Sequence, residues 1–396
     1  MTQARPGGQP MSSADVIVLG TGAMGAAACA ALARRGARVV GLDRFGVAHD
    51  RGSSHGATRL IRQAYFEHPD YVPLLLEAYA LWRELEEDAG RRIFDRCGLL
   101  LAGRADAEAV AGALLAARLH ALPVETLSAR ESRRRVPLVA LPDDEIVVFE
   151  AAAGYLLVEE CVRAFASRAL RHGARLEAGV TVRSWRAEGA GVTVDTDRGP
   201  FRAGRLVVTP GAWATDLLRL PGMPFTVLRK SLFWFRPDAA RAADFAAGRL
   251  PCFAFDTPAG FFYGFPALDG DGVKMAEHTG GATVADPLGL SRDLDREELA
   301  RVEHVARARL PALGTTLSRH AACMYTMTPD AHFCLGLHPD HPHVAVAAGF
   351  SGHGFKFASV VGEALADLAL DGATPRPIGF LAPDRFARGG SSAAEG

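Results

Sequence analysis

The sequence has no CxxC pair and no His/Cys cluster at metal-ligand spacing, although it holds 6 cysteines: Cys29, Cys97, Cys161, Cys252, Cys323 and Cys334. Thiols scattered in this way argue against a disulfide framework and a zinc site, and they fit a reducing cytoplasm. No apolar run is long enough to span a bilayer. The polar opening MTQARPGGQPMSSA contains no apolar stretch of the kind a secretory leader needs. An excess of one charge is also missing: 44 Lys and Arg face 45 Asp and Glu, a formal net charge of -1. Neither nucleic acid nor a membrane surface is favoured by that balance, which leaves small-molecule chemistry. Internal repeats and low-complexity linkers are absent, apart from an Ala/Arg-rich stretch at 237–249.

At 396 residues, 49% of them hydrophobic, the chain can bury a large core and make two domains. DVIVLG is a short apolar run bounded by glycine, the mark of a buried parallel strand. GTGAMG and an alanine-rich helix follow, then ARVVGLD, a second strand ending in an acid. Together these form one βαβ unit. Helices are expected over 66–88, with Tyr71, Leu74, Leu75, Ala78, Leu81, Trp82 and Leu85 on one face, and over roughly 157–172. LVVTPGAW and HVAVAAG read as further buried strands. The Phe- and Gly-rich span 224–280 alternates like antiparallel sheet.

The expected architecture is α/β. A parallel-sheet domain assembled from 14–88, 150–220 and 322–388 carries an inserted α+β domain, largely antiparallel, from 89–149 and 221–321. Residues 1–13 and 389–396 are expected to be flexible tails.

Gly20, Gly22 and Gly25 form G-x-G-x-x-G between a strand and a helix. The first glycine allows the tight turn, the second lets backbone approach a pyrophosphate, and the third permits helix–strand packing. Asp43 stands at the usual distance of about 20 residues for a ribose hydroxyl. This motif predicts a dinucleotide and does not separate FAD from NAD. A second glycine turn before a helix, GFSGHGFK at 349–356, includes Gly352 and Gly354 and tilts the reading toward flavin. There a helix N-terminus and Lys356 would offer positive charge to a reduced flavin ring.

These segments, with RGSSHGATRLIRQAY at 51–65, GFFYGFP, GVKMAEH, CMYTMTPD and GFSGHGFKF, resemble the monomeric sarcosine oxidase and N-methyltryptophan oxidase family. Its members are FAD-dependent amine oxidases with a D-amino-acid-oxidase-like fold. The resemblance covers the chain apart from its two tails. It implies that Cys323 bonds through sulfur to the flavin 8α carbon, and that Arg62 and Lys356 hold the substrate carboxylate. It implies that Lys274, near flavin N5, promotes reaction with oxygen, and that His55 and Arg59 lie beside the flavin. Tyr263, His278 and Tyr325 would line the substrate cavity.

Two positions depart from the family pattern: Ser54 stands where a second histidine is common, and Glu277 where an aromatic or apolar residue is expected. The segment 237–262 matches poorly, which leaves substrate identity open. The expected substrates are O2 and a secondary α-amino acid: sarcosine first, then a cyclic or larger N-methyl amino acid such as pipecolate, proline or N-methyltryptophan. The protein is expected to act as a monomer.

Each residue also has an ordinary reading. Arg59 and Arg62 could make salt bridges or caps, Lys274 could be a snorkelling surface side chain, and the tyrosines could simply pack. His353 is expected to pack or bond backbone near the flavin rather than act as a base. Three other functions compete with the oxidase: a flavin dehydrogenase with another acceptor, a non-catalytic flavin or nucleotide binder, and a nicotinamide dehydrogenase. The second glycine turn and the cysteine weigh against the last.

Overall fold

The computed structural model describes residues 14–268 and 270–388. The two expected tails, 1–13 and 389–396, lie outside the described residues.

The βαβ unit forms as its pattern dictates: β1 (Ala14–Leu19), α1 (Ala23–Arg34) and β2 (Val39–Leu42). β1 pairs in parallel with β2 on one side and with the strand Gly199–Val208 on the other. Gly199–Val208 pairs in parallel with His341–Ala348, and β2 with Arg175–Glu177. The parallel sheet therefore joins segments far apart in sequence, and an antiparallel hairpin of Val182–Glu188 and Gly191–Thr196 extends it.

Alanine suits α1 because the helix is buried against two others, Val158–Arg171 and Ala358–Asp371. A Cβ on Gly362 would stand 2.7 Å from the Ala27 backbone, so only small residues allow this contact.

The second sheet has eight strands. In order they are Thr316–Met327, Thr226–Arg236, Gly272–Glu277, Gly260–Leu268, Cys252–Thr257, Leu99–Arg104, Glu145–Glu150 and Glu125–Ser128. All its pairings are antiparallel except Cys252–Thr257 with Leu99–Arg104. A small third sheet contains β3 (Thr58–Ile61), Gly154–Leu157 and Phe94–Asp95.

One expectation needs correction. The helix expected over 66–88 is α2 (Val72–Ala89), preceded by a short 3-10 turn at Pro69–Tyr71. Pro69 forces its predecessor out of the helical region, and His68 is extended at φ -173 and ψ 138. The apolar stripe is otherwise buried as expected, with Leu81 only half-buried. The strand Thr316–Met327 is continuous and pairs with Thr226–Arg236 along its length, so Cys323 belongs to the second sheet.

Candidate active site

Two adjoining cavities lie where the sheets meet, and they share Arg59, Tyr325, Gly352 and Phe355 as walls. The larger, about 550 Å³, begins at the glycine turn. Gly20 has φ +84, and a Cβ there would sit 2.3 Å from the Thr209 carbonyl oxygen. A Cβ on Gly25 would sit 1.8 Å from the Gly20 oxygen. These two glycines are demanded by packing. Gly22 differs: its nearest protein atom would be Ser54 Oγ at 3.6 Å, and it faces the cavity. Ser54 Oγ accepts a hydrogen bond from Ala23 N at 3.2 Å, so it caps the first turn of α1.

Asp43 also faces the cavity and fastens the turn, its Oδ2 accepting from Thr21 N at 2.6 Å and its Oδ1 from Phe45 N at 2.8 Å. His49 and Trp213 pack around Phe45, at 4.7 and 5.9 Å between ring centroids. The Trp213 Nε1 donor is buried and has no partner among the described residues. Ser54, His49 and Trp213 were missed as site residues in the sequence. Their only signals were the departure at Ser54 and the small-residue turn of LVVTPGAW.

At the far end of this cavity, Gly352 has φ +83, and a Cβ there would meet the Tyr325 ring at 2.3 Å. Gly354 lines the same wall. Cys323, next in sequence to the lining residue Met324, is buried and is not among the residues lining either cavity, but Arg59, which lines both, donates from Nη2 to its Sγ at 3.4 Å. Burial pushes this thiol up, but the Arg59 guanidinium and neighbouring His55 outweigh it and bring the pKa down to about 6. Burial raises Cys29 to about 12, and it raises Cys334 to about 12 despite the nearby Arg385. Arg59 is fixed by donating to the Thr58 and Ser53 carbonyl oxygens, both at 2.9 Å, and forms no carboxylate ion pair among the described residues. His55 is buried and its Nε2 has no partner among the described residues.

Lys274 is not a surface residue. Its ammonium is buried and donates to Gly56 O at 2.6 Å, Thr58 O at 2.9 Å and Thr58 Oγ1 at 3.2 Å. Burial, aided by Arg59, holds its pKa well below the ordinary lysine value. It clasps the 56–58 segment from beneath and does not line either cavity.

The smaller cavity, about 60 Å³, gathers Arg62, Lys356, Tyr263, His278 and Tyr325. Arg62 already has an acidic partner, Glu67, whose carboxylate accepts two bonds from Nη2 at 2.7 and 2.6 Å. Burial would raise Glu67, but Arg62 overrides it and holds the carboxyl at about 2. Lys356 Nζ donates to the His353 carbonyl oxygen at 2.7 Å and stands 5.0 Å from the Tyr65 ring centroid. Burial, reinforced by Arg62, lowers Lys356 to about 7.

His278 Nδ1 is 3.2 Å from Tyr325 Oη, and burial depresses His278 to about 3, so the ring is neutral. His353 bonds Tyr65 Oη and, at 2.9 Å, the Ala331 carbonyl oxygen, as expected of a residue that bonds backbone. The cavity thus combines Arg62, already paired with the Glu67 carboxylate, and Lys356 with the neutral His278 ring and two tyrosines, so a small carboxylate entering it would share or displace Glu67 as the partner of Arg62.

The FAD dependent oxidoreductase family, typified by D-amino-acid oxidases, matches residues 15–368, and the chain belongs to it. Within that family it is similar to monomeric sarcosine oxidase of Streptomyces avermitilis, 44% identical across 94% of this chain and 98% of that one. N-methyl-L-tryptophan oxidase of Yersinia pestis is 35% identical across 94% and 99%. Among solved structures, NikD, an unusual amino acid oxidase essential for nikkomycin biosynthesis, superposes with a TM-score of 0.82 at 28% identity, covering 94% and 97%.

The residues present fit FAD. Gly22 leaves room at a helix N-terminus for a pyrophosphate, and the buried Nε1 of Trp213, which lines the same cavity, has no partner among the described residues. Among the described residues no helix is long and apolar enough to cross a membrane, and no cluster could hold a metal ion.

Proposed function

We propose that this protein oxidises secondary α-amino acids, converting an N-methyl amino acid, O2 and water to amino acid, formaldehyde and H2O2, with sarcosine the first substrate to test. The observation that carries the reading is the juxtaposition of two cavities. A small site with Arg62 and Lys356 borders, across Arg59 and Tyr325, a larger one that begins at the dinucleotide glycine turn. FAD supplies the acceptor for the hydride equivalent leaving the carbon beside nitrogen.

Gly20, Gly22, Gly25, Asp43, Gly352 and Gly354 would hold FAD, and Cys323, as a thiolate, is the residue for covalent attachment. Arg62 and Lys356 would anchor the carboxylate, with Arg62 sharing or exchanging its Glu67 partner. A bound carboxylate would raise Lys356 and keep it charged. Tyr263, His278 and Tyr325 would wall the amine, and because the neutral amine is itself the reactive form, no general base is required. Lys274 would place a buried positive charge near the site where oxygen is reduced. Arg59 and His55 would set the electrostatics of the tether.

The six free cysteines suit a reducing cytoplasm. The relative called monomeric sarcosine oxidase supports a monomer.

The holoprotein should be yellow, keep its flavin through acid precipitation and release peroxide on sarcosine. Lys274→Met should slow reoxidation by O2 far more than anaerobic flavin reduction. Protein that is colourless from flavin-replete cells would overturn the reading.

A further inference from the structure

The small cavity has three kinds of wall. One side is shared with the large cavity: Arg59, Tyr325, Gly352 and Phe355. A second carries the cations Arg62 and Lys356. The third is aromatic. The Phe66 ring lies 4.4 Å from the Arg62 guanidinium carbon and 5.3 Å from the Phe261 ring, inclined at 53°. Phe261 in turn meets His278 edge-on at 5.8 Å and 78°. Guanidinium, two phenyl rings and imidazole therefore make one continuous rim. Phe66 and Phe261 both line the cavity and are both half-buried.

Neither ring has a free backbone. The helix Glu108–Leu119 sits on Phe66 so closely that a Cβ on Gly112 would lie 2.8 Å from the Phe66 carbonyl oxygen and 2.9 Å from its Cα. The Phe261 carbonyl oxygen accepts from His278 N at 2.7 Å.

We infer that Phe66 and Phe261 form an aromatic clamp that fixes the substrate class as N-methyl amino acids with a small or absent α side chain. This inference rests on the function proposed above. With the carboxylate on Arg62 and Lys356 and the reacting carbon turned toward the large cavity, the α substituent has only the Phe66–Phe261 side left. The cavity behind that pair is about 60 Å³, room for one small molecule. A benzyl or indolyl side chain would have to displace a ring whose backbone is held. The clamp also holds Arg62 by its face, so the anchor and the size filter are one assembly.

The test uses the holoenzyme and its Phe66→Ala, Phe261→Ala and doubly substituted variants, with Phe66→Leu as a milder change. The measured quantity is kcat/KM for N-methyl-L-phenylalanine relative to N-methylglycine, read as anaerobic flavin reduction. The ratio should rise at least about 10-fold in the double variant, since lost steric exclusion in an apolar pocket is worth at least that much. N-methylglycine itself should change only a few-fold. As a second readout, phenylacetate should perturb the flavin spectrum at lower concentration in the variants than in wild type, while acetate should not.

An unchanged ratio, or an equal fall for both substrates, overturns the clamp. So does a wild type that already prefers N-methyl-L-phenylalanine, although the oxidase reading survives that result. A wild-type flavin reduced by neither amine sinks the oxidase reading instead, and the phenylacetate-to-acetate comparison then decides the clamp separately.

Discussion

The largest influence holding the Cys323 thiol down is the Arg59 charge, and Arg59→Met removes it. The Arg59 Nη2 to Cys323 Sγ distance is 3.4 Å. At an effective dielectric of about 20, two unit charges at this separation attract by roughly 5 kcal/mol. That corresponds to roughly 3.5 pKa units, enough to overcome the burial that would otherwise raise the thiol. With Arg59 the thiol titrates at about 6. Without it the value should return to about 8.5 or higher.

At pH 6 the thiolate fraction then falls from about one half to about 0.003, a loss of roughly 160-fold. A more basic thiolate is intrinsically more reactive by roughly 13-fold over this interval at a Brønsted slope near 0.45, leaving a net slowing of about 12-fold. Near pH 9 the same arithmetic makes the variant faster, so the two rate profiles should cross at roughly pH 7.4.

Apoprotein mixed with FAD, quenched in acid at intervals and scored for protein-bound flavin fluorescence gives the rate at each pH. Arg59→Lys, which keeps the charge, should stay near the wild-type midpoint, and the unfolding temperatures of all three proteins control for misfolding. Equal midpoints for Arg59→Met and wild type, within half a unit, would refute the electrostatic account. Cys323→Ser should abolish attachment entirely, while serine at any of the other 5 cysteines should not.

Three further outcomes are expected. Lys230 donates to the carbonyl oxygens of His278, Thr279 and Gly280 at 3.0, 2.8 and 3.0 Å. Lys230→Met should therefore cost about 2–4 kcal/mol in denaturant melts and raise KM by loosening His278, and an unaltered melt contradicts this. Acid should weaken the fold. Burial holds His278 at about 3 and His353 at about 4, so from pH 6.5 down to 4 the unfolded chain binds two protons the folded one refuses. Stability then falls by up to about 2.7 kcal/mol per pH unit. Glu67, held at about 2 by Arg62, stabilises above pH 4.5 and loses that contribution between 4.5 and 2. Urea titrations at pH 7, 6 and 5 should show the decline, with a smaller slope in His278→Gln, and a flat series counts against it. Finally, Gly25→Ala meets backbone at 1.8 Å and should fail to fold, whereas Gly22→Ala has 3.6 Å of room. Gly22→Ala should melt like wild-type apoprotein yet bind FAD more weakly, and unaltered affinity would remove Gly22 from the pyrophosphate site.

Local sequence determined what local physics controls. The strand–glycine–helix–strand run of 15–43 could only be one βαβ unit, because strand burial, tight turn and helix packing are each written in adjacent residues. Arg62, Lys356, Tyr263, His278 and Tyr325, the residues that the family resemblance singles out, line one cavity. What those residues are bonded to was not legible, because their partners come from distant strands or from backbone. Residues alone left Lys274 open between a snorkelling surface side chain and the buried lysine that the resemblance implies, and pairing of its strand with Thr226–Arg236 and Gly260–Leu268 buries it against the 56–58 carbonyls. Arg62 showed no sign of Glu67 five residues on, since only the extended turn ahead of Pro69 brings the two together. Cys323 was one of six similar thiols in the sequence. Only the fold sets it 3.4 Å from a guanidinium across 264 positions of chain, and charge at that distance, absent around the buried Cys29 and Cys334, makes it a thiolate.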